Sequence, residues 1–143
     1  MSNEEIFKSW VAGFFEGEGS IIITKRPRNS YGVRVSLTQK VPEPLEAVSK
    51  IWGGKVFEQF RESGRIFRWR LSNKKALRFL KDIEPYLVFK KEAVSIGIAL
   101  ETQKEPRGVR HEGNPLSPEV LADRERLRLR LLGLNRKEKV KEL

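Results

Sequence analysis

Val11-Ala12-Gly13-Phe14-Phe15-Glu16-Gly17-Glu18-Gly19-Ser20 is the stretch on which the reading of this chain turns. Upstream of it, Asn3 followed by Glu4 and Glu5 predicts a helix start, with a capping side chain and acids in the first turn. Ile6, Phe7, Trp10, Val11, Phe14 and Phe15 recur at three- and four-residue spacing, so the helix runs into the decamer and ends near Gly17-Glu18-Gly19. Gly13 and Gly17 lie four apart on one helical face, and each costs about 1 kcal/mol relative to Ala. That cost makes sense where another backbone approaches closer than the usual ~8–10 Å between packed helices. Glu16 and Glu18 fall at the helix C-terminus, where the macrodipole disfavours an anion by about 0.3–1 kcal/mol. A divalent cation held there reverses the penalty. The plainer alternative makes Gly17 and Gly19 end caps and leaves both glutamates solvated.

Downstream, residues 20–25 and 31–39 read as paired strands joined by the turn-prone Pro27-Arg28-Asn29-Ser30. Leu45, Val48, Ile51 and Trp52 mark a short helix stopped by Gly53-Gly54. A second hairpin follows over 55–61 and 65–72, turning at Ser63-Gly64. In it Phe67, Trp69 and Leu71 alternate with Arg68 and Arg70, the period of a half-buried strand. Ser72 or Asn73 caps a helix through Ile83, which Pro85 closes. A helix over 88–103, a loop over 104–116 and a last helix from Ser117-Pro118-Glu119 toward Leu134 complete the chain. The order is αββαββα plus a C-terminal helix, an α+β fold. Its four-stranded antiparallel sheet carries helices on one face and leaves the other free. Ile22, Thr24 and Arg26 share a side of the first strand. Arg34, Ser36 and Thr38 oppose Val33, Val35 and Leu37 on the second, and Arg68 and Arg70 oppose the aromatic row. A face rich in Arg, Thr and Ser suits a DNA major groove, where Arg pairs with guanine; a solvated face alternates in the same way.

The bulk composition narrows the chemistry. One domain is expected for 143 residues, with a core over about 5–103 and an extension over 104–143. With no Cys, disulfides and Cys-ligated metals are excluded, and the single His111 leaves little for His-based sites. No apolar run approaches the ~20 residues that span a bilayer, and the start lacks the order of a signal peptide. A soluble intracellular protein with no membrane partner is expected. The net charge of +10 is unevenly spread. Residues 1–20 hold one basic residue and four acids, whereas residues 21–70 hold eleven basic residues and four acids. A basic stretch on a folded domain is the footprint of a polyanion.

The decamer resembles the LAGLIDADG motif, the signature of a homing endonuclease family. Val11 stands in the place of Leu, and Glu16 and Glu18 stand at the two Asp positions. Element order, hairpins and the segment from Glu84-Pro85-Tyr86-Leu87 to Lys90-Lys91 extend the resemblance over roughly residues 5–103. It implies two motif helices packed together at the centre of a homodimer, since the motif occurs once. Phe7, Trp10, Val11, Gly13, Phe14 and Gly17 are the expected interface. The resemblance also implies a metal site from the Glu18 carboxylate and the Gly17 carbonyl. Gln39 places water or metal there and Lys90 stabilises phosphate charge, with Lys91 in reserve one position on. Glu16 is expected to hold the helix end. Where the family often has a basic residue a few positions past the Gln, this chain has Val41-Pro42-Glu43-Pro44, with only Lys40 nearby.

The implied activity is metal-dependent cleavage of double-stranded DNA at a long pseudo-palindromic site, by an enzyme of intron-encoded type. Hard oxygen ligands favour Mg²⁺, with Mn²⁺ or Ca²⁺ able to occupy the site. Ile22, Thr24, Arg26, Arg28, Arg34, Ser36, Lys55, Gln59, Arg61, Arg68 and Arg70 are the candidate DNA contacts. Arg124, Arg126, Arg128, Arg130, Arg136 and Lys137 make the tail a candidate phosphate-contacting helix, or a solvated one. Two rivals stay open: a cleavage-deficient DNA-binding protein or RNA-splicing maturase on the same fold, and a basic RNA-binding structural protein.

Overall fold

Alternation and helical spacing translate directly into the architecture of the computed structural model, which describes residues 2–104 and 116–141. Helix α1 (Asn3–Glu18) leads into strands β1 (Gly19–Arg26) and β2 (Ser30–Gln39), then α2 (Glu43–Trp52). Strands β3 (Lys55–Arg61) and β4 (Gly64–Ser72) precede α3 (Asn73–Ile83), α4 (Lys91–Gln103) and α5 (Pro118–Lys141). The four strands form one antiparallel sheet in the order β1-β2-β4-β3. The two hairpins therefore join through β2 and β4.

The core lies between the helices and one face of this sheet. Ile21, Ile23, Val33, Val35, Leu37, Trp69 and Leu71 meet Val11, Phe15, Leu45, Val48, Phe79, Leu80 and Ile83, all buried. Phe79 takes edge-on contacts from Phe15, Trp52 and Trp69. The indole N–H groups are satisfied, Trp69 donating to the Gly53 carbonyl and Trp52 to Asp82, each at 2.8 Å. Gly54, at φ +88°, brings the chain so close to this cluster that a Cβ there would sit 2.7 Å from Trp69 Nε1.

Three element ends differ from the sequence reading. The cap of α1 is Ser2, not Asn3: its hydroxyl accepts the Glu5 N–H at 3.1 Å. Ser72 occupies the cap position of α3 without a side-chain cap bond, and Asn73 adopts φ +57°. Helix α4 begins at Lys91 rather than at residue 88, and the N–H groups of Val88, Phe89 and Lys90 in the turn before it meet an acceptor described below. The last helix runs past Leu134 to Lys141. The expected loop over 104–116 lies outside the described residues, except at its two ends.

Helix α5 covers the otherwise open edge of the sheet at β1, protecting unpaired backbone. Asn135 donates to the Ile21 carbonyl at 3.0 Å, and the Tyr31 hydroxyl to Glu125 at 2.6 Å, while Leu127 and Leu131 enter the core. Most of its arginines are thereby committed within the chain. Arg126 pairs with Asp123, Arg128 with Glu125 and Arg130 with Glu92, and Arg124 is buried; Arg136 and Lys137 are exposed.

Candidate active site and DNA interface

The two acids at the end of α1 have opposite environments. Glu16 points inward and is 7% exposed. Its carboxylate accepts the Val88 N–H at 2.9 Å on both oxygens, the Phe89 N–H at 2.6 Å and the Lys90 N–H at 2.9 Å. Burial pushes the Glu16 carboxyl up, but these donors and the Lys90 charge outweigh it, and its pKa lies below the ordinary value. Its lone pairs thus hold the turn that starts α4 instead of the end of its own helix. Glu18, two residues on, is exposed, and the Gly17 backbone beside it is exposed too.

Lys90 is 9% exposed and reaches under the same helix end. Its Nζ donates to the Gly19 carbonyl at 2.8 Å, lies 3.4 Å from the Phe15 carbonyl and sits 5.5 Å from the Phe15 ring centroid. Helix α1 has no basic residue in its last turn, so this lysine supplies the charge its terminal carbonyls favour. Lys91 opens α4 and is exposed. Gln39 ends β2, two residues past the Leu37–Gly19 pair, and its Oε1 accepts the Lys40 N–H at 3.0 Å. Glu18, Lys90 and Gln39 therefore belong to one end of the sheet. The stretch Val41-Pro42-Glu43-Pro44 turns directly into α2 and brings no basic side chain there; Lys40 is exposed.

Among the described residues no three His, Cys, Asp or Glu side chains gather as a metal cluster. One exposed carboxylate with a neighbouring carbonyl fits a hard divalent cation in ligand type but not in number. A second copy of α1 would double the set.

The outer face of α1 invites that copy. Ile6, Trp10, Gly13 and Gly17 form one stripe; Ile6 is 51% and Trp10 46% exposed. A Cβ added at Gly13 or Gly17 would meet nothing within 4 Å, so nothing inside this chain requires a glycine at either position. Phe7 and Phe14 flank the stripe, half-buried, with Trp10 stacked between them at 5.6 Å from each ring. Val11 must be removed from the expected interface: it is fully buried in the chain's own core. Ile6, not among the expected interface residues, shares this exposed stripe through its four-residue spacing to Trp10.

The sheet face opposite the helices is cationic and lacks counter-charges. Register places Thr38, Arg68 and Phe57 in one cross-strand row, then Ser20, Ser36, Arg70 and Lys55, then Ile22, Arg34 and Ser72. Thr24 and Arg26 continue it toward the β1–β2 turn, where Arg28 sits, and Gln59 and Arg61 continue it toward the β3–β4 turn. All the expected strand contacts thus share a face. Ser20, Phe57, Ile66 and Ser72 join them; each lies two residues from a named contact on its own strand, so the alternation that assigned the face could have added them. The Nε atoms of Arg34, Arg68 and Arg70 are shielded from solvent and have no hydrogen-bond partner among the described residues. Burial lowers the pKa of Arg34, helped by Arg70 and Arg26; burial also lowers that of Arg68, helped by Arg61 and Arg70. Among the described residues, none of Arg26, Arg28, Arg34, Lys55, Arg61, Arg68 or Arg70 forms an ion pair. An open cavity of about 700 Å³ extends the basic surface past Lys55 and Arg70 to Lys74, Lys75 and Lys104. No helix among the described residues is long and apolar enough to cross a membrane.

No protein-family model matches the sequence, and no curated protein matches it either. Solved structures do match in fold. I-CvuI, a homing endonuclease seen with an I-CreI target DNA and Mg, has 22% identity and a TM-score of 0.71 over 92% of this chain and 82% of its own. I-TnaI, another homing endonuclease, has 17% identity and a TM-score of 0.63 over 92% of this chain and 95% of its own. An archaeal intron-encoded homing endonuclease complexed with DNA has 19% identity and a TM-score of 0.58 over 89% and 99%. The chain has the fold of the LAGLIDADG homing endonucleases.

Proposed function

We propose that the chain is a LAGLIDADG homing endonuclease, a homodimer that cleaves both strands of DNA at a long pseudo-palindromic site with the help of divalent metal. The observation that carries this reading is the division of α1. Its inward acid, Glu16, is consumed by three backbone N–H groups. Its outward acid, Glu18, ends an uncovered glycine stripe. Packing that stripe on itself about a two-fold axis would bring a Glu18 from each copy to the middle of the combined sheets. The DNA held by I-CvuI and by the archaeal enzyme supports duplex DNA as the partner, and the Mg and Ca present with I-CvuI support a divalent ion.

In this reading Glu18 and the Gly17 carbonyl hold Mg²⁺, with Mn²⁺ or Ca²⁺ able to replace it. The bound ion supplies a water made nucleophilic near neutral pH and relief of charge on the leaving oxygen. Gln39 orients solvent at the end of β2. Lys90 keeps the α1 terminus and the start of α4 in register, and its ammonium supplies positive charge toward the scissile phosphate. Arg26, Arg28, Arg34, Lys55, Arg61, Arg68 and Arg70 bind the duplex, with Ile22, Thr24, Ser36 and Gln59 among them on the groove surface. Residues 1–143 act as one domain, with α5 bracing the edge of its sheet.

The test is cleavage selection from a randomised duplex library with Mg²⁺. A two-fold-symmetric cut site is expected, and Glu18→Ala should abolish cutting while leaving affinity for that site intact. Binding without cutting in the unaltered protein would instead favour the cleavage-deficient reading. That alternative draws on one observation, the commitment of the Lys90 ammonium to the Gly19 carbonyl.

A further inference from the structure

The three unpartnered arginines occupy consecutive rows of the open face. Arg68 lies opposite Thr38 and Phe57, Arg70 opposite Ser36 and Lys55, and Arg34 opposite Ile22 and Ser72. Residues two apart on a strand are separated by about 6.7 Å. That is close to two base-pair rises of B-DNA, at about 3.4 Å each. With the strands running along the groove, successive rows would address successive base-pair doublets, and the sheet's twist would let the match persist. The environment of each row sets what it can read.

An arginine whose Nε has neither solvent nor a protein acceptor has its outer nitrogens left for the ligand. Arg70 is also braced by the Phe57 ring, 5.3 Å from its guanidinium, which limits the conformations it must give up on binding. The flanks are of another kind. Thr24 offers a methyl group in the row beyond Arg34, next to Ile22 in Arg34's own row, and Gln59 with Ile66 follows Arg68 on the other side. Arginine pairs in a bidentate manner with guanine O6 and N7, glutamine with adenine, and methyl groups pack on the thymine methyl.

We propose that each half-site carries a guanine-rich block of about six base pairs, read in order by Arg68, Arg70 and Arg34, and flanked on both sides by A·T-preferring positions. This rests on the endonuclease reading and specifies its substrate. The alternative role for these side chains is to neutralise phosphates, which carries no sequence information.

Binding selection on duplex DNA with a randomised half-site, read by sequencing, separates the two roles. The unaltered protein should enrich guanine across the block. Arg68→Gln, Arg70→Gln and Arg34→Gln should each lose about ten- to a hundredfold of discrimination at one doublet, in that order along the site. Arg28→Gln, at the exposed turn, should weaken all sequences evenly. Melting curves of each variant establish that it is folded. A symmetric duplex site without guanine bias, or arginine variants that weaken every sequence alike, would overturn the block and leave the endonuclease reading standing. Recovery of no preferred duplex at all would overturn both.

Discussion

The two sides of α1 and of the sheet beneath it differ in one respect: whether polar groups are finished within the chain. On the inner side nearly all are, Glu101 Oε1 and Arg124 Nε being the exceptions among the described residues. Glu16 accepts three backbone N–H groups, Trp52 and Trp69 find acceptors, and Lys90 caps a helix end. On the outer side Glu18 is exposed, two glycines have open space above them and three guanidinium Nε atoms have no partner. Buried polar groups are normally satisfied, so a concentration of unfinished ones marks a surface completed by something else. The contrast separates residues that hold the fold from residues left to act, Lys90 alone being assigned to both, and it can be broken residue by residue.

The largest effect belongs to Glu16. Glu16→Ala leaves three N–H groups and a nearly buried Lys90 without their carboxylate, which should cost about 3–5 kcal/mol of stability. Glu18→Ala, two residues away, should change stability by less than about 0.5 kcal/mol. Urea denaturation of both variants measures the difference. Equal losses would mean that Glu18 is also part of the framework and would dissolve the distinction between the two acids.

Next comes Gly13. Because open space lies above it, Gly13→Leu should leave the folded chain intact and even favour the helix by about 1 kcal/mol. Between two copies the same side chain forces the helices apart, at a typical cost of about 1–3 kcal/mol, so dimer dissociation should rise by roughly ten- to a hundredfold. Sedimentation across a dilution series measures this. A variant that dimerises as tightly as the parent would place the interface elsewhere.

Much of this division could be read in the chain before folding. Alternation around Arg68 and Arg70 assigned the open face, and the Gly13–Gly17 spacing assigned the outer stripe of α1. The start of α4 was hidden because the turn before it is held by a carboxylate more than seventy positions away in sequence, at Glu16, which accepts the N–H groups of residues 88–90. Apolar spacing alone could not tell Val11, which faces Phe15 and the core, from Trp10, which faces outward. The commitments of Arg126, Arg128 and Arg130 were equally hidden: two pair within α5, but Arg130 needs Glu92 on α4. Composition shows charge, and only packing shows which charges are already answered.

Acid should act on the finished side first. The Glu16 carboxyl is held below its ordinary value, chiefly against burial by N–H donation from Lys90, Phe89 and Val88. The Arg128 guanidinium and the Tyr31 hydroxyl bring Glu125 down to about 2. Both are depressed in the folded chain, so their stabilisation is present above the unfolded value of 4.5 and fades as pH falls through the folded one. Thermal melts should therefore weaken between about pH 4.5 and 2. Glu125→Gln should flatten the lower part of that fall. An unchanged slope in the variant would mean that the α5 anchor is not formed in solution.

The smallest effect has the opposite sign. Arg34 and Arg68 are partly desolvated beside other cations, and nothing among the described residues offsets them. Replacing either with Met keeps the aliphatic stem over the sheet and removes the repulsion, so Arg34→Met and Arg68→Met should stabilise the free protein by up to about 1 kcal/mol. In a chain of this size that is a rise of roughly 2–4 °C in Tm. The same variants should bind duplex DNA less well, because the strain they relieve is what the polyanion relieves in the complex. A variant that lost both stability and affinity would show these arginines bracing the sheet and would erase the line between its two faces. A gain in Tm coupled to a loss in affinity would show instead that the open face gives up stability for binding.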